Sequence, residues 1–259
     1  MNGRSIEVIV DDRIAEIVLT RRPVNALDTT ALQQLCEACH QVSEDDQVAA
    51  VVVRSDSPEV FSAGADIDEM RDLHGQEIND FAHLLRDSFE AVASLPQPVV
   101  AAVSGVALGG GCELALACDH RVASHQLRIG QPEIRLGVVP AAGGTQRLPR
   151  LVGPSVAKDL LLTGRSLDAQ QALAVGLVDE VVEPQQVISR ARQWAAQFTH
   201  GPKFALQAIK QLVNLIDDVT LREGLAAETI AYIEAMLGPD RLIGMDHFLR
   251  KVGGDPVFG

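Results

Sequence analysis

The sequence predicts an α/β fold whose C-terminal third is helical. Apolar runs of strand length, such as "AAVVVR" and "PVVAAVSG", alternate with helical patterns up to about residue 180, which is typical of parallel strands joined by crossovers. From Gln186 onward, successive helical patterns follow with little strand signal. We therefore expect a core over residues 1–185 and a helical region over residues 186–259.

The individual elements follow from local patterns. "SIEVIVDDRIAEIVLT" alternates polar and apolar residues around Asp11 and Asp12, which predicts a hairpin. A helix is predicted in "NALDTTALQQLCEACHQVSED", behind a cap at Asp28 or Thr29. "QVAAVVVRSD" predicts a buried strand, residues 79–94 a second helix, and "PVVAAVSG" a further strand before the helix "GCELALAC". The apolar stripes of the C-terminal helices serve the core, a partner subunit, or both, and periodicity does not separate these uses.

Composition excludes several classes of partner. The 259 residues allow a sizeable core, and the net charge of -13 opposes nonspecific attraction to nucleic acid or anionic membranes. The start "MNGRSIEVIVDD" has no apolar signal segment, and no run approaches the roughly 18 apolar residues of a spanning helix. We expect a cytoplasmic protein with no nucleic-acid partner and no membrane association.

The four cysteines do not form a disulfide framework in a chain of this size. Cys36 and Cys39 form a CxxC pattern within a predicted helix, but no second pair follows at zinc-finger spacing. A metal or redox role is one interpretation of this pair. We favour buried thiols and expect no metal site.

Three segments place glycine or alanine beside polar residues where a strand meets a helix. The first is "FSAGADIDEM", in which Ala63, Gly64 and Ala65 allow a ligand to approach the backbone. Asp66 can cap the following helix, and a simple strand-to-helix turn with an aspartate cap is the structural alternative.

The second segment, "GVALGGGCELALACDH", fits a phosphate loop, a packing turn or an oxyanion-binding turn. It has neither GxGxxG spacing nor a following Lys-Ser/Thr pair, which weakens the phosphate interpretation. Free N–H groups at a helix start can stabilise developing negative charge. Glu113 falls in the first turn of this helix, where the helix dipole alone also favours a glutamate.

The third segment, "IGQPEIRLGVVPAAGGTQRLPR", contains Glu133 among turn formers and apolar residues. This glutamate is either solvated at a turn or partly buried in a pocket wall. Burial would raise its pKa toward neutrality and suit it to proton exchange. The chain between Glu113 and Glu133 is long enough for the two to share a cavity, although the spacing does not require it.

These segments, followed by "LLTGRSLDAQQALAVGLVDEVV", resemble the enoyl-CoA hydratase, or crotonase, family from about residue 5 to the C-terminus. The resemblance implies a crotonase-like spiral of ββα units with a C-terminal helical region used in trimerisation. Family trimers often pair into hexamers. We therefore expect an acyl-CoA thioester as substrate and a homotrimer or homohexamer.

The resemblance also implies roles for single residues. Ala65 and Gly110 would donate backbone N–H bonds to the thioester oxygen as an oxyanion hole. Glu113 would hold and deprotonate a water, and Glu133 would deliver a proton to C2. The implied reaction is syn addition of water across C2=C3 of a 2-enoyl-CoA. Coenzyme A is part of the substrate, and we expect no metal or redox cofactor because no electron moves.

The same resemblance assigns the acyl-CoA contacts. They are Val24, Ala63, Gly64, Ala65, Asp66, Ile67, Asp68 and Gly110. Family members often carry a basic residue where Asp68 stands, so a phosphate contact is not expected there. The loop "RRPVNALD" is shorter than the usual family version.

Several functions compete with hydration. Family isomerases commonly keep one acid-base residue, so the presence of both glutamates favours a hydratase over a double-bond isomerase. A hydratase for a cyclic or branched enoyl-CoA fits the same residues. From other classes, a noncatalytic acyl-CoA-binding or RNA-binding member and a dinucleotide-binding oxidoreductase are alternatives, the last suggested only by glycine after a strand.

Overall fold

The structure is a computed structural model that describes residues 4–251 and 253–258. Its strands are β1 (Ile6–Asp11), β2 (Ile14–Leu19), β3 (Ala26–Leu27), β4 (Ala50–Ser55), β5 (Val60–Ser62), β6 (Gly64–Ala65), β7 (Val99–Val103), β8 (Val106–Leu108), β9 (His120–Ser124), β10 (Arg128–Gly130), β11 (Ser166–Asp168) and β12 (Glu180–Val182). Its α-helices are α1 (Thr29–Glu44), α2 (Ile67–Asp72), α3 (Gln76–Ala93), α4 (Gly110–Leu116), α5 (Gly144–Val152), α6 (Pro154–Thr163), α7 (Ala169–Ala174), α8 (Val187–Ala196), α9 (Lys203–Asn214), α10 (Leu221–Leu237) and α11 (Asp240–Leu249). Two 3₁₀-helices span Glu133–Leu136 and Pro184–Gln186.

A six-stranded sheet forms the centre of the fold, in the order β1-β2-β4-β7-β9-β12. β1 and β2 form the predicted antiparallel hairpin, turning at Asp12 and Arg13 with φ of 50° and 61°. All other neighbours in this sheet are parallel, as predicted. β7 is fully buried, and β4 is buried except for Arg54, because helices cover both faces of such a sheet.

Two smaller sheets lie beside the central one, in the orders β11-β10-β8-β5 and β3-β6. β4, β7 and β9 each lead into a short strand of these sheets before the chain turns into a helix. This repetition is the predicted spiral of ββα units. The short strands position the glycine-containing segments between the central sheet and the helices.

Helices pack on both faces of the central sheet. The N-cap of α1 is Asp28, whose side chain accepts the Ala31 N–H. Of the two predicted caps, Asp28 and Thr29, the structure therefore has the first. α1 and α3 pack against each other on the larger core cluster, which includes Leu35 and Phe89. α8 covers the opposite face, where Val187, Ala191 and Ala195 are buried together with Ile14, Val52, Val100 and Val122.

The last three helices differ from the rest. Among the described residues, α9, α10 and α11 contain no buried side chain, and Leu237 and Phe248 are each 81% exposed. The division at residue 185 stays a prediction, although α8 packs with the core sheet. Within the described ranges, no helix is both long enough and apolar enough to cross a bilayer.

Candidate active site

The three glycines of the second segment have different structural roles. Gly109 joins β8 to α4 with a φ of 53°, a conformation that favours glycine. Gly110 is the first residue of α4, and the N–H groups of a first helical turn have no acceptor within the helix. Gly111 packs so closely on β5 that a Cβ there would lie 2.2 Å from the Ser62 carbonyl oxygen. Packing therefore requires Gly111, while the Gly110 N–H is available to a ligand.

Gly64 and Ala65 of β6 face the start of α4. Gly64 has a φ of 97°, and a Cβ there would lie 2.7 Å from the Leu108 carbonyl oxygen. A Cβ on Gly110 would lie 3.4 Å from the Ala65 nitrogen. The Asp66 N–H donates to the carbonyl of Leu27 in β3, and successive N–H groups of a strand point to opposite sides. The Ala65 N–H therefore points away from β3, and the two predicted donors lie side by side.

The predicted coenzyme A segment extends outward from this point. The Ala63 N–H donates to the Val24 carbonyl oxygen at 2.9 Å, which brings two predicted contacts together. Asp66 accepts first-turn N–H groups of α2 and pairs with Arg21 at 2.7 Å. The prediction that Asp66 caps the following helix is therefore confirmed. Three members of the segment are exposed to solvent: Ala63, Ile67 and Asp68.

Glu113 lies in the first turn of α4, as predicted, and its residue is only 2% exposed. Its Oε1 accepts the N–H of Ala142 at 2.9 Å and the N–H of Gly144 at 2.7 Å. Burial raises the pKa of Glu113, and these two hydrogen bonds and the charge of Arg147 partly offset that rise. Oε2 accepts no hydrogen bond from the described residues, so one oxygen is fixed while the other is available for chemistry.

Glu133 begins a 3₁₀-helix and is half-buried, which agrees with the pocket-wall alternative. A Cβ on Gly109 would lie 3.1 Å from its Oε1, so the carboxyl group lies at the entrance to α4. Burial, together with the nearby charge of Glu113, raises the pKa of Glu133 to about 7. Near neutral pH Glu133 can therefore both hold and release a proton.

Gln131 is a member of the site that the sequence did not reveal. It is 1% exposed, and its amide nitrogen, turned toward Glu133, donates to both carboxyl oxygens at 2.8 and 3.2 Å. Ala142 and Gly144, which hold Glu113, were also missed. The turn signal in "VPAAGGTQ" was visible, but these residues act through N–H groups that nearly every residue carries.

The arrangement combines two backbone donors with two carboxyl groups in different environments. Because the charge of Glu113 raises the pKa of Glu133, the two carboxyl groups titrate as a coupled pair, and such a pair can take one proton and give another. Burial also raises the pKa of the neighbouring Cys112 thiol, so this thiol is neutral. Cys36 and Cys39 are free thiols, one half-buried and one buried, and no group of three or more metal-ligating side chains occurs among the described residues.

Comparisons with known proteins identify the relatives of the chain. A sequence model of the family described as "Enoyl-CoA hydratase/isomerase" matches residues 10–257. The chain belongs to this family. The crotonase-type resemblance drawn from the three segments is confirmed, and the chain is an enzyme of the enoyl-CoA hydratase/isomerase family.

Individual relatives support this membership over nearly the whole chain. Identity is 40% over 234 residues with "Probable enoyl-CoA hydratase echA17" of Mycolicibacterium paratuberculosis, covering 88% of this chain and 91% of the relative. It is 37% over 242 residues with the short-chain-enoyl-CoA hydratase of Clostridium acetobutylicum, covering 93% of each. The solved structure of Pseudomonas aeruginosa DspI superimposes with a TM-score of 0.95 at 32% identity, covering 100% of this chain and 98% of that chain.

Proposed function

We propose that this family member is an enoyl-CoA hydratase, which adds water across C2=C3 of a 2-enoyl-CoA to give a 3-hydroxyacyl-CoA. The observation that carries the proposal is the unequal state of two neighbouring carboxyl groups. Two N–H groups hold one oxygen of Glu113, whereas the pKa of Glu133 is raised to about 7. Hydration requires one group that takes a proton from water and one that gives a proton to carbon, and this pair fits that requirement.

The oxyanion hole consists of the N–H groups of Ala65 and Gly110. They bind the thioester oxygen and act most strongly as negative charge develops on it in the enolate-like transition state. Loss of one such donor costs about 3 to 4 kcal/mol in comparable sites. A Cβ on Gly110 would lie 3.4 Å from the Ala65 nitrogen, and this proximity supports a shared target for the two donors.

The proton transfers follow from the two carboxyl groups. Glu113 takes a proton from the water as the water oxygen bonds to C3, and protonated Glu133 gives its proton to C2. Addition is syn because both groups act from the same face of the double bond. Afterwards Glu113 holds a proton and Glu133 has lost one, and exchange with solvent restores the pair. No electron is transferred, so coenzyme A, as part of the substrate, is the only cofactor-like group proposed.

The acyl-CoA lies along the edge that begins at the oxyanion hole. A Cβ on Gly64 would lie 3.0 Å from the Gly110 nitrogen, so glycine at position 64 keeps this donor uncovered, and Ala63 and Val24 lie together next to it. Asp66 contributes by fixing α2 through its cap, which places Ile67 and Asp68 at the solvent-exposed rim. Asp68 is not proposed to bind phosphate because its charge is negative.

Assembly into trimers, with trimers pairing into hexamers, is part of the proposal. The exposed apolar side chains of α9, α10 and α11 support it. Many large apolar side chains exposed on successive helices are typical of an interface, because burying them against another copy removes them from water.

The test mixes the purified protein with crotonyl-CoA and follows the absorbance of the conjugated enoyl thioester. We expect the absorbance to fall as 3-hydroxybutyryl-CoA forms, and a panel of cyclic and branched enoyl-CoA thioesters then defines the acyl group. Unchanged crotonyl-CoA, with 3-enoyl-CoA converted to the 2-enoyl isomer instead, would favour a double-bond isomerase. A fluorescence titration that detects NADH binding would favour the oxidoreductase alternative.

A further inference from the structure

The turn over residues 140–144 determines where Glu113 points. Both N–H groups that hold Glu113 belong to this turn, at Ala142 and Gly144. Between them, Gly143 adopts a φ of 113°, which a residue with a side chain rarely adopts. The orientation of Glu113 therefore depends on the conformation of this short backbone segment.

Arg147, in the first turn of α5, contacts this turn through its guanidinium. Its Nη1 donates to the Ala142 carbonyl oxygen at 3.0 Å, and its Nη2 pairs with Glu90 of α3 at 2.7 Å. A Cβ on Gly143 would lie 2.5 Å from Nη1, so the guanidinium lies directly over that residue. Ala142 is thus held on both sides, by Glu113 through its N–H and by Arg147 through its carbonyl.

We propose that Arg147 is a positioning residue whose guanidinium, anchored by Glu90, fixes the turn that donates two hydrogen bonds to Glu113. This inference rests on the proposed function, in which Glu113 is the base that deprotonates water. The link between α3 and the turn is a charge-assisted pair of hydrogen bonds, which are stronger and more directional than neutral ones. A fork with two donors suits this bridging position better than the single ammonium of lysine.

The charges around Glu113 support the same role. The titratable groups that face it are Glu133, the neutral thiol of Cys112 and the guanidinium of Arg147. Only the last of these is positive, and its charge lowers the pKa of Glu113 against the effect of burial. Arg147 therefore favours the carboxylate form that a base requires and also holds the donors that orient it.

The experiment compares Arg147→Gln and Arg147→Lys with the parent and with Arg150→Gln. Arg150 lies on the same helix but pairs with Asp217 and Gln146, and the structure shows no bond from it to the turn. For Arg147→Gln we expect kcat to fall about 10- to 100-fold with little change in KM. The acidic limb of the kcat profile should also move up by about one pH unit. Arg147→Lys should show a smaller change in both, and Arg150→Gln should match the parent.

A second measurement does not depend on activity. Carbon-13 labelling of glutamate δ-carboxyl groups, with the Glu113 resonance assigned by its loss in Glu113→Gln, reports the titration of this residue directly. We expect its midpoint to rise by about one pH unit in Arg147→Gln. An unmoved midpoint together with an unmoved acidic limb would overturn the proposal, whatever happens to the melting temperature. A shifted midpoint in a protein that hydrates neither crotonyl-CoA nor any thioester of the enoyl-CoA panel would support the positioning role and overturn the proposed function.

Discussion

Glu113 is buried and Glu133 is half-buried, and their neighbours give the two carboxyl groups different chemistry. Burial raises the pKa of both groups. Two N–H donors and a nearby guanidinium partly offset the rise at Glu113, whereas the charge of Glu113 adds to the rise at Glu133, whose pKa is about 7. We expect Glu133→Gln to lower kcat for hydration by about 10² to 10⁴ because the amide cannot supply the proton to C2. Glu37→Gln, on the exposed side of α1, is the matched control. Parental rates in a crotonyl-CoA assay of the Glu133 variant would remove this residue from the mechanism.

The same carboxyl group makes stability depend on pH. Its pKa of about 7 in the folded protein lies above the ordinary glutamate pKa of 4.5. The stabilisation from the protonated form is therefore complete below pH 4.5 and is lost as the pH rises through 7. Glutamine stays neutral throughout. The free energy of unfolding of Glu133→Gln, minus that of the parent, should therefore rise by about 1 to 3 kcal/mol from about pH 4 to about pH 8. Urea denaturation at the two pH values measures this difference in the free energy of unfolding. The same difference at both pH values would mean that ionisation of Glu133 does not destabilise the folded protein.

At the scale of elements, the contact of α4 with β5 determines where the site forms. A Cβ on Gly111 would meet the backbone oxygen of Ser62 at 2.2 Å, so Gly111→Ala must push the helix away. We expect a loss of about 3 kcal/mol in stability from this overpacking. The matched control is Gly224→Ala in α10, where the nearest atom would lie 3.8 Å away and alanine should stabilise the helix by about 0.5 to 1 kcal/mol. Thermal denaturation should give shifts of opposite sign, and equal shifts would contradict the close-packing argument.

The sequence predicted long elements well and short ones poorly. α1 and the hairpin β1–β2 have enough residues to show periodicity, and α3 begins only slightly before its predicted range. β3 and β6 have two residues each, too few to alternate, although β6 carries a predicted donor. Their existence depends on pairing with distant parts of the chain, which no local pattern reports.

In the site, too, residues with a local sequence signal could be predicted, and residues placed by tertiary packing could not. Glu113 and Glu133 could be selected because carboxyl groups are unusual in apolar segments. Gln131 could not, because its only signal is burial beside Glu133. The position of the 140–144 turn against Glu113 arises from tertiary packing of α5 on α4, which the sequence spacing does not specify.

At the scale of the whole molecule, the exposed apolar faces of the last three helices predict association. We expect the protein to sediment as three or six chains, and Phe248→Asp, at a residue 81% exposed in α11, to shift it toward smaller species. A charge at such a position must be desolvated in an interface, which is costly. Gln33→Asp on the exposed side of α1 controls for the added charge. A parent protein that sediments as a single chain would rule out the proposed assembly.

The proposed chemistry depends largely on main-chain amides. At Ala65, Gly110, Ala142 and Gly144 the donor is the peptide N–H, and an alanine scan does not remove this group. Only proline among the natural residues removes that hydrogen, and it also restricts φ. Replacing a single peptide bond by an ester through semisynthesis would delete one donor while keeping every side chain. In the natural protein, the residues that can occupy these positions are therefore limited by the available volume and by the backbone conformation. The chemical nature of the side chain matters much less.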